Sequence, residues 1–169
     1  ESVVEAFRAA SASRPDLCLL IAPRHPERLD EVERAVTRAG LSCVRRSRLP
    51  EVAPAPGGVI LLDTMGELSR LYSAASVVFI GGSLIPHGGQ NILEPAAAGR
   101  PVIHGPHMGN FAEMRDLFRE ASAAVEVADA RGLTEALASL LDDAVRANRM
   151  GEAGRKIVEA QRGATERTA

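Results

Sequence analysis

The chain has no tryptophan, and only 3% of its residues are aromatic. That scarcity excludes the stacking platforms that hold single-stranded nucleic acid, and it argues against a sugar cleft lined by aromatic rings. No apolar run reaches the roughly 18 to 20 residues needed to span a bilayer. Nor is there an excess of positive charge. The formal net charge is -2, so no global field draws in nucleic acid or an anionic membrane. Cysteine is sparse as well. Cys18 and Cys43 stand in apolar, strand-like stretches, which predicts buried thiols in a reducing compartment rather than a disulfide framework. No signal-peptide pattern opens the chain. It starts Glu1-Ser2-Val3-Val4, without Met and already in a helical pattern, so the expectation is that further sequence precedes it.

What is present is an ordinary globular composition. Of the 169 residues, 46% are hydrophobic and 25% charged, which fits one soluble domain, 1–169, with its own core. Short apolar runs alternate with helical patterns throughout. Strands are expected at 17–22, 42–45, 59–62, 77–80, 102–103 and 125–127. Between and around them fall helical patterns: Val3, Val4, Phe7 and Ala10; Leu29, Val32, Val36 and Ala39 after Pro26, stopped by Gly40; and Leu133, Leu137, Leu140 and Leu141. Residues 48–58 read as a Pro- and Gly-rich loop, and 144–161 as a helical tail. Thr64-Met65-Gly66-Glu67 has the spacing of a capping box, launching a helix with Leu68, Leu71, Tyr72 and Ala75 inward. Asn91 is expected to cap a short helix ending at Gly99, and Asn110 one carrying Phe111, Met114, Leu117 and Phe118. Six nearly continuous apolar strands alternating with helices predict an α/β fold. It is of the Rossmann-like, doubly wound kind, with a six-stranded parallel sheet and helices on both faces.

In such sheets ligands bind beyond the carboxyl ends of the strands. Four successive strands here run into polar and glycine residues. They are Pro23-Arg24-His25-Pro26, Thr64 to Glu67, the stretch from Gly81 to Asn91, and Gly105-Pro106-His107-Met108-Gly109-Asn110. The expected crevice is lined by Arg24, Gly66, Glu67, Gly82, Asn91 and Glu94. The Gly81–Asn91 loop carries Gly81, Gly82, Gly88 and Gly89, which expose backbone N–H groups as a phosphate- or sugar-cradling loop must. It has neither the P-loop ending nor the spaced glycines of dinucleotide folds. Thr64 to Glu67 admits two compatible readings, a helix cap and an anion site at a helix start. Arg24 fits a phosphate or carboxylate through its fork, or else a solvated loop. The histidines His25, His87, His104 and His107 lack metal-ligand spacing and a supporting Cys or carboxylate cluster, so no metal site is expected. The run Arg45-Arg46-Ser47-Arg48 reads as a solvated strand end rather than a nucleic-acid patch.

Together these motifs resemble the C-terminal domain of bacterial 3-deoxy-D-manno-octulosonic acid (Kdo) transferases, glycosyltransferases built from two facing Rossmann-like domains (GT-B). The resemblance rests on Pro23 to Arg28, Asp63 to Leu68, Gly81-Gly82-Ser83 through His87-Gly88-Gly89-Gln90-Asn91, Leu93-Glu94-Pro95, and Gly105 to Phe111. It spans almost the whole chain. It implies binding of the donor CMP-Kdo, with no cofactor besides that substrate, for transfer of Kdo to a lipid A precursor in lipopolysaccharide synthesis. The place implied is the cytoplasmic face of the bacterial inner membrane. The acceptor, the membrane contact and the carboxylate general base would belong to an N-terminal domain that this chain lacks, leaving it no catalytic residue of its own and inactive alone.

On the same resemblance the donor-binding residues are Arg24, His25, Met65, Gly66, Glu67, Gly82, Ser83, His87, Gly88, Gly89, Asn91 and Glu94. The phosphate lies at Arg24 and the 64–67 helix start, with nucleoside or sugar hydroxyls near Asn91 and Glu94. Two alternatives stay open. One is a GT-B enzyme acting on a UDP-sugar, either a transferase or a UDP-N-acetylglucosamine epimerase. The other is a non-catalytic nucleotide-binding module.

Overall fold

The apolar runs become strands, and all six expected strands are present. The structure, a computed structural model, describes residues 2–49, 51–52 and 54–166. Glu1, and Pro50 and Ala53 of the expected 48–58 loop, lie outside the described residues. The chain divides into two compact units, Glu1–Leu68 and Ser69–Ala169.

The first unit runs α1 (Ser2–Ser11), β1 (Leu19–Ile21), a 3-10 turn at Pro26–Arg28, α2 (Leu29–Arg38), β2 (Cys43–Arg45) and β3 (Val59–Leu61). Its strands pair in the order β1-β3-β2, all parallel, with Leu19 and Cys43 both opposite Val59. The last strand in sequence therefore lies between the other two. Val59 and Leu61 are fully buried, as a central parallel strand requires. Val4 and Phe7 of α1 and Val36 of α2 close over Val59 to form the core of this unit. The cysteines depart from expectation. Cys18 is exposed and Cys43 half-buried, both as free thiols. The cause is position, because both strands that carry or adjoin them are outer strands of this three-stranded sheet.

The chain passes into the second unit within α3 (Leu68–Leu71). Then follow β4 (Val78–Phe79), α4 (Leu93–Ala97), β5 (Val102–His104), α5 (Ala112–Glu120), β6 (Ala124–Glu126), α6 (Ala130–Asp142) and α7 (Ala144–Glu166). The sheet order is β4-β5-β6, again wholly parallel. Ile80, Ile92, Val102, Met108, Phe118 and Val158 form its core. Asp129 caps α6 by accepting from the Gly132 N–H at 2.8 Å, the role its side chain is suited to. Small residues let α7 approach α4: a methyl added at Gly151 would meet the Gly99 carbonyl, and one at Gly154 would meet Ala96 at 3.3 Å.

Helices lie on both sides of the parallel sheets, as the pattern predicts. The ladders nevertheless form two three-stranded sheets, one within each unit, where a single six-stranded sheet was expected. With strands of two or three residues, each ladder holds few bonds and stays local. Two helix starts also differ. The 64–67 segment is a turn and α3 begins only at Leu68, because Gly66 takes a left-handed φ of +79° that no α-helix can contain. Asn110 caps nothing with its side chain; it sits in a 3-10 turn, Gly109–Phe111, before α5.

Candidate functional site

In the first unit, parallel pairing sends the chain out of β1, β2 and β3 at one edge of the sheet. The loop after β3 leaves between the other two. On the β1 side stand Arg24 and His25, both exposed, with His25 Nδ1 3.3 Å from Glu27. The 63–67 turn follows. Met65 is almost fully exposed at 88%, and a Cβ built on Gly66 would meet nothing within 4 Å, so the face of this turn is open. Left-handed φ at Gly66 is what presents it, and a side chain there would strain the backbone.

Glu67 does not point freely outward. Its carboxylate accepts from the Thr64 hydroxyl at 2.7 Å and from the Arg46 guanidinium, with Nε at 3.1 Å and Nη2 at 3.2 Å. Thr64 thus donates to Glu67 rather than capping a backbone N–H. Asp63 is held by the Ser47 N–H at 2.9 Å and hydroxyl at 2.6 Å. Burial pushes the Asp63 carboxyl up, but the hydrogen bonds from Ser47 outweigh it and leave the group below its ordinary value. Arg45 pairs with Asp30 and Glu33 of α2. The basic run expected to be a solvated strand end is therefore largely ion-paired. Arg46 is a site-edge residue that the sequence reading did not single out. The signal was its place directly after a strand, on a strand whose neighbour could not be read.

In the second unit the loops after β4 and β5 are stitched together. The regular ladder runs from Val78 N–H to the Pro101 carbonyl and from Ile80 N–H to the Ile103 carbonyl, at 3.0 and 2.9 Å. The same alternation would next bring the Gly105 N–H to the Ile80 carbonyl. Ser83 stands in between. Its hydroxyl donates to Ile80 O at 2.6 Å and accepts from Gly105 N at 2.7 Å, with the side chain fully buried. Ser83, expected at the donor wall, is thus turned inward with its hydrogen-bonding capacity occupied, and its role is to hold the loop. His107 N–H reaches Ser83 O at 2.9 Å and Asn110 N–H reaches Gly88 O at 3.1 Å. Gly88 and Gly89 both take a left-handed φ, +81° and +73°, which favours glycine, and a Cβ on either would also press on the side chain of Asn110 or Met108. Gly82 and His87 remain on the outer side of this loop, His87 exposed and Gly82 partly so. His104 is buried, its Nδ1 2.8 Å from Gly105 O.

Asn91 and Glu94 come together as expected. Asn91 Oδ1 accepts from the Leu93 N–H at 2.9 Å, and its Nδ2 donates to Glu94 Oε1 at 3.0 Å. The amide thereby holds the first N–H of α4 and the Glu94 carboxylate together, although the residue in the cap position is Ile92 and not, as expected, Asn91. Gly99 ends the helix with φ +68°, its N–H on the Ala96 carbonyl. Glu94 and Asn91 line an open cavity of about 580 Å³, shared with Ser69, Leu93, Gln161 and Arg162. Its size lies within the range of small-molecule sites. Burial, and secondarily the charge of Glu94, hold the nearby Tyr72 phenol above its ordinary value.

Among the described residues no group of three or more His, Cys, Asp or Glu is placed to hold a metal ion. No helix of the described residues is long and apolar enough to cross a membrane.

Residues 55–157 match the family model described as glycosyl transferases group 1. The chain belongs to that glycosyltransferase family. Among relatives of this glycosyltransferase chain, the 3-deoxy-D-manno-octulosonic acid transferase of Haemophilus influenzae is 39% identical over 168 residues. That alignment covers 99% of this chain and 39% of the relative. The enzyme of the same name from Bordetella pertussis is 41% identical over 166 residues, covering 98% of the chain and 39% of the relative. The chain thus spans well under half the length of these relatives. The solved C-terminal CMP-Kdo binding domain of WaaA from Acinetobacter baumannii superposes with a TM-score of 0.84 at 32% identity. It covers 92% of this chain and 81% of that one. The resemblance read from the motifs and the Rossmann-like GT-B fold class are both borne out.

Proposed function

We propose that this glycosyltransferase chain binds CMP-Kdo as the activated donor for Kdo transfer to a lipid A precursor. The observation that supports this most is the likeness, along 92% of the chain, to a domain described as binding CMP-Kdo. It coincides with strand-end loops that carry the residues such a ligand needs. In this reading Arg24 and the open face of the Gly66 turn take the phosphate, through an arginine fork and backbone N–H groups. The 64–67 segment acts as a turn, since α3 is too short and starts too late to supply a helix dipole. Within the second unit, taken by itself, Asn91 and Glu94 offer hydrogen-bonding groups to hydroxyls at the cavity. In the first unit His25 and Met65 stand exposed beside Arg24 and the Gly66 turn; in the second Gly82 and His87 lie on the outer side of the glycine loop, which Gly88, the buried Gly89 and Ser83 hold in shape.

Transfer by an inverting displacement needs a base to deprotonate the acceptor hydroxyl as CMP leaves. This reading assigns the base, the acceptor site and any membrane contact to another domain, the whole enzyme acting at the cytoplasmic face of the inner membrane. Fixed positive groups aimed at the leaving phosphate lower the barrier, so no metal is required.

Calorimetric titration with CMP, UMP and UDP tests the donor reading. CMP is expected to bind most tightly. Arg24→Ala should lose about ten- to a hundredfold in affinity for it. A preference for UDP would move the chain to the UDP-sugar enzymes of the same architecture.

A further inference from the structure

We infer that Arg46 is a positioning residue for the anionic part of the ligand, acting through Glu67. The inference rests on the reading that a phosphate lies at the Gly66 turn. β2 and β3 pair with Arg45 opposite Leu61, so Arg46 and the 62–67 loop emerge side by side at the same edge. There the guanidinium meets both oxygens of the Glu67 carboxylate, at 3.1 and 3.2 Å, while Thr64 bonds one of them at 2.7 Å. The two partners are 33% and 37% exposed, so the pair is partly withdrawn from water and its geometry is set by the fold.

Glu67 directly follows the residue whose open face would meet the phosphate. Unpaired, its carboxylate would repel that anion; paired, it does not. Asp63 at the other end of the turn is held by two hydrogen bonds from Ser47. Both carboxylates that flank the turn are thus engaged by the segment following β2. That segment shapes an anion site without contacting the anion.

The test compares CMP with cytidine, which lacks the phosphate, on the parent protein, Arg46→Ala, Arg46→Lys, Glu67→Gln and the double variant Arg46→Ala/Glu67→Gln. Each is checked by thermal melting for an intact fold. Arg46→Ala should bind CMP about tenfold more weakly while keeping parental affinity for cytidine, and Arg46→Lys should fall between. The double variant should bind CMP more tightly than Arg46→Ala does, since the charge that needed an opposite is gone. Three results overturn the inference: CMP affinity unchanged in Arg46→Ala, equal losses for CMP and cytidine, or a double variant no better than the single one. The last would make Arg46 a direct ligand contact. If Arg46→Ala does not fold, Arg46→Gln carries the same comparison. A parent protein that binds no CMP sinks the donor reading itself, a failure distinct from these three.

Discussion

Replacing Ser83 by alanine removes one oxygen atom, and its cost can be worked from the geometry. The hydroxyl is the sole link between the Ile80 carbonyl and the Gly105 N–H at the point where β4 and β5 part. Both backbone groups lie in a region where Ser83 itself is fully buried. The space left by a hydroxyl is too small to admit a water, so both groups lose their partner. Each buried, unpaired backbone group costs about 1–3 kcal/mol. Some relaxation of the strand ends toward direct pairing offsets part of this, giving an expected loss of about 2–4 kcal/mol. Urea unfolding followed by circular dichroism reads it as a lower midpoint at unchanged slope. CMP affinity of the folded variant, measured well below the transition, should fall much less than stability does. Parental stability together with a large loss of CMP affinity would refute the reasoning. The hydroxyl would then face the ligand, and the stitched loop would be held by something else.

Gly151→Ala would gain about 1 kcal/mol in helix propensity. Yet its methyl would meet the Gly99 carbonyl, a backbone atom that cannot swing aside, and overpacking costs about 1–3 kcal/mol. The melting temperature should therefore drop, and a rise would show that α7 and α4 are not in this contact. Asp63 gives a pH dependence whose sign is set. Its folded carboxyl lies below its ordinary value, so its stabilisation is complete above the unfolded value of about 3.9. That stabilisation disappears as pH falls through the folded value. Asp63→Asn should therefore flatten the acid limb of a stability–pH curve; an unaltered limb would mean that the Ser47 bonds do not form in solution.

Much of the architecture was legible because burial writes itself as short apolar runs. Leu19–Ile21, Cys43–Arg45 and Val59–Leu61 fall inside the runs expected for them. The 91–99 stretch was legible in outline: its helix, Leu93–Ala97, begins two residues after Asn91, with Ile92 rather than Asn91 as its cap, and stops before Gly99. The errors share a different cause. Thr64-Met65-Gly66-Glu67 has a capping-box spacing, but spacing says nothing of φ, and Gly66 turns left-handed. Ser83 was expected in the wall next to the donor, and that its hydroxyl turns inward follows only from the register of β4 against β5. Cys18 looked buried because the run around it is apolar, whereas an outer strand can leave such a run in water. Arg46 was missed because its neighbour, the loop after β3, is set by a strand order in which the third strand lies between the first two. No local pattern encodes that order.

The stitching of the glycine loop bears on how a ligand would arrive. Gly82 to Gly89 is closed by its own backbone bond and tied to the loop after β5 at Ser83 and Gly88. Three glycines in such a stretch would otherwise carry a large conformational entropy. Here that entropy is surrendered when the chain folds, not when the ligand docks. This part of the wall then behaves as a socket rather than as a lid. Its share of an association should be a single fast phase, linear in ligand concentration, with no ordering step behind it and little change in the motion of these residues between the empty and the loaded state.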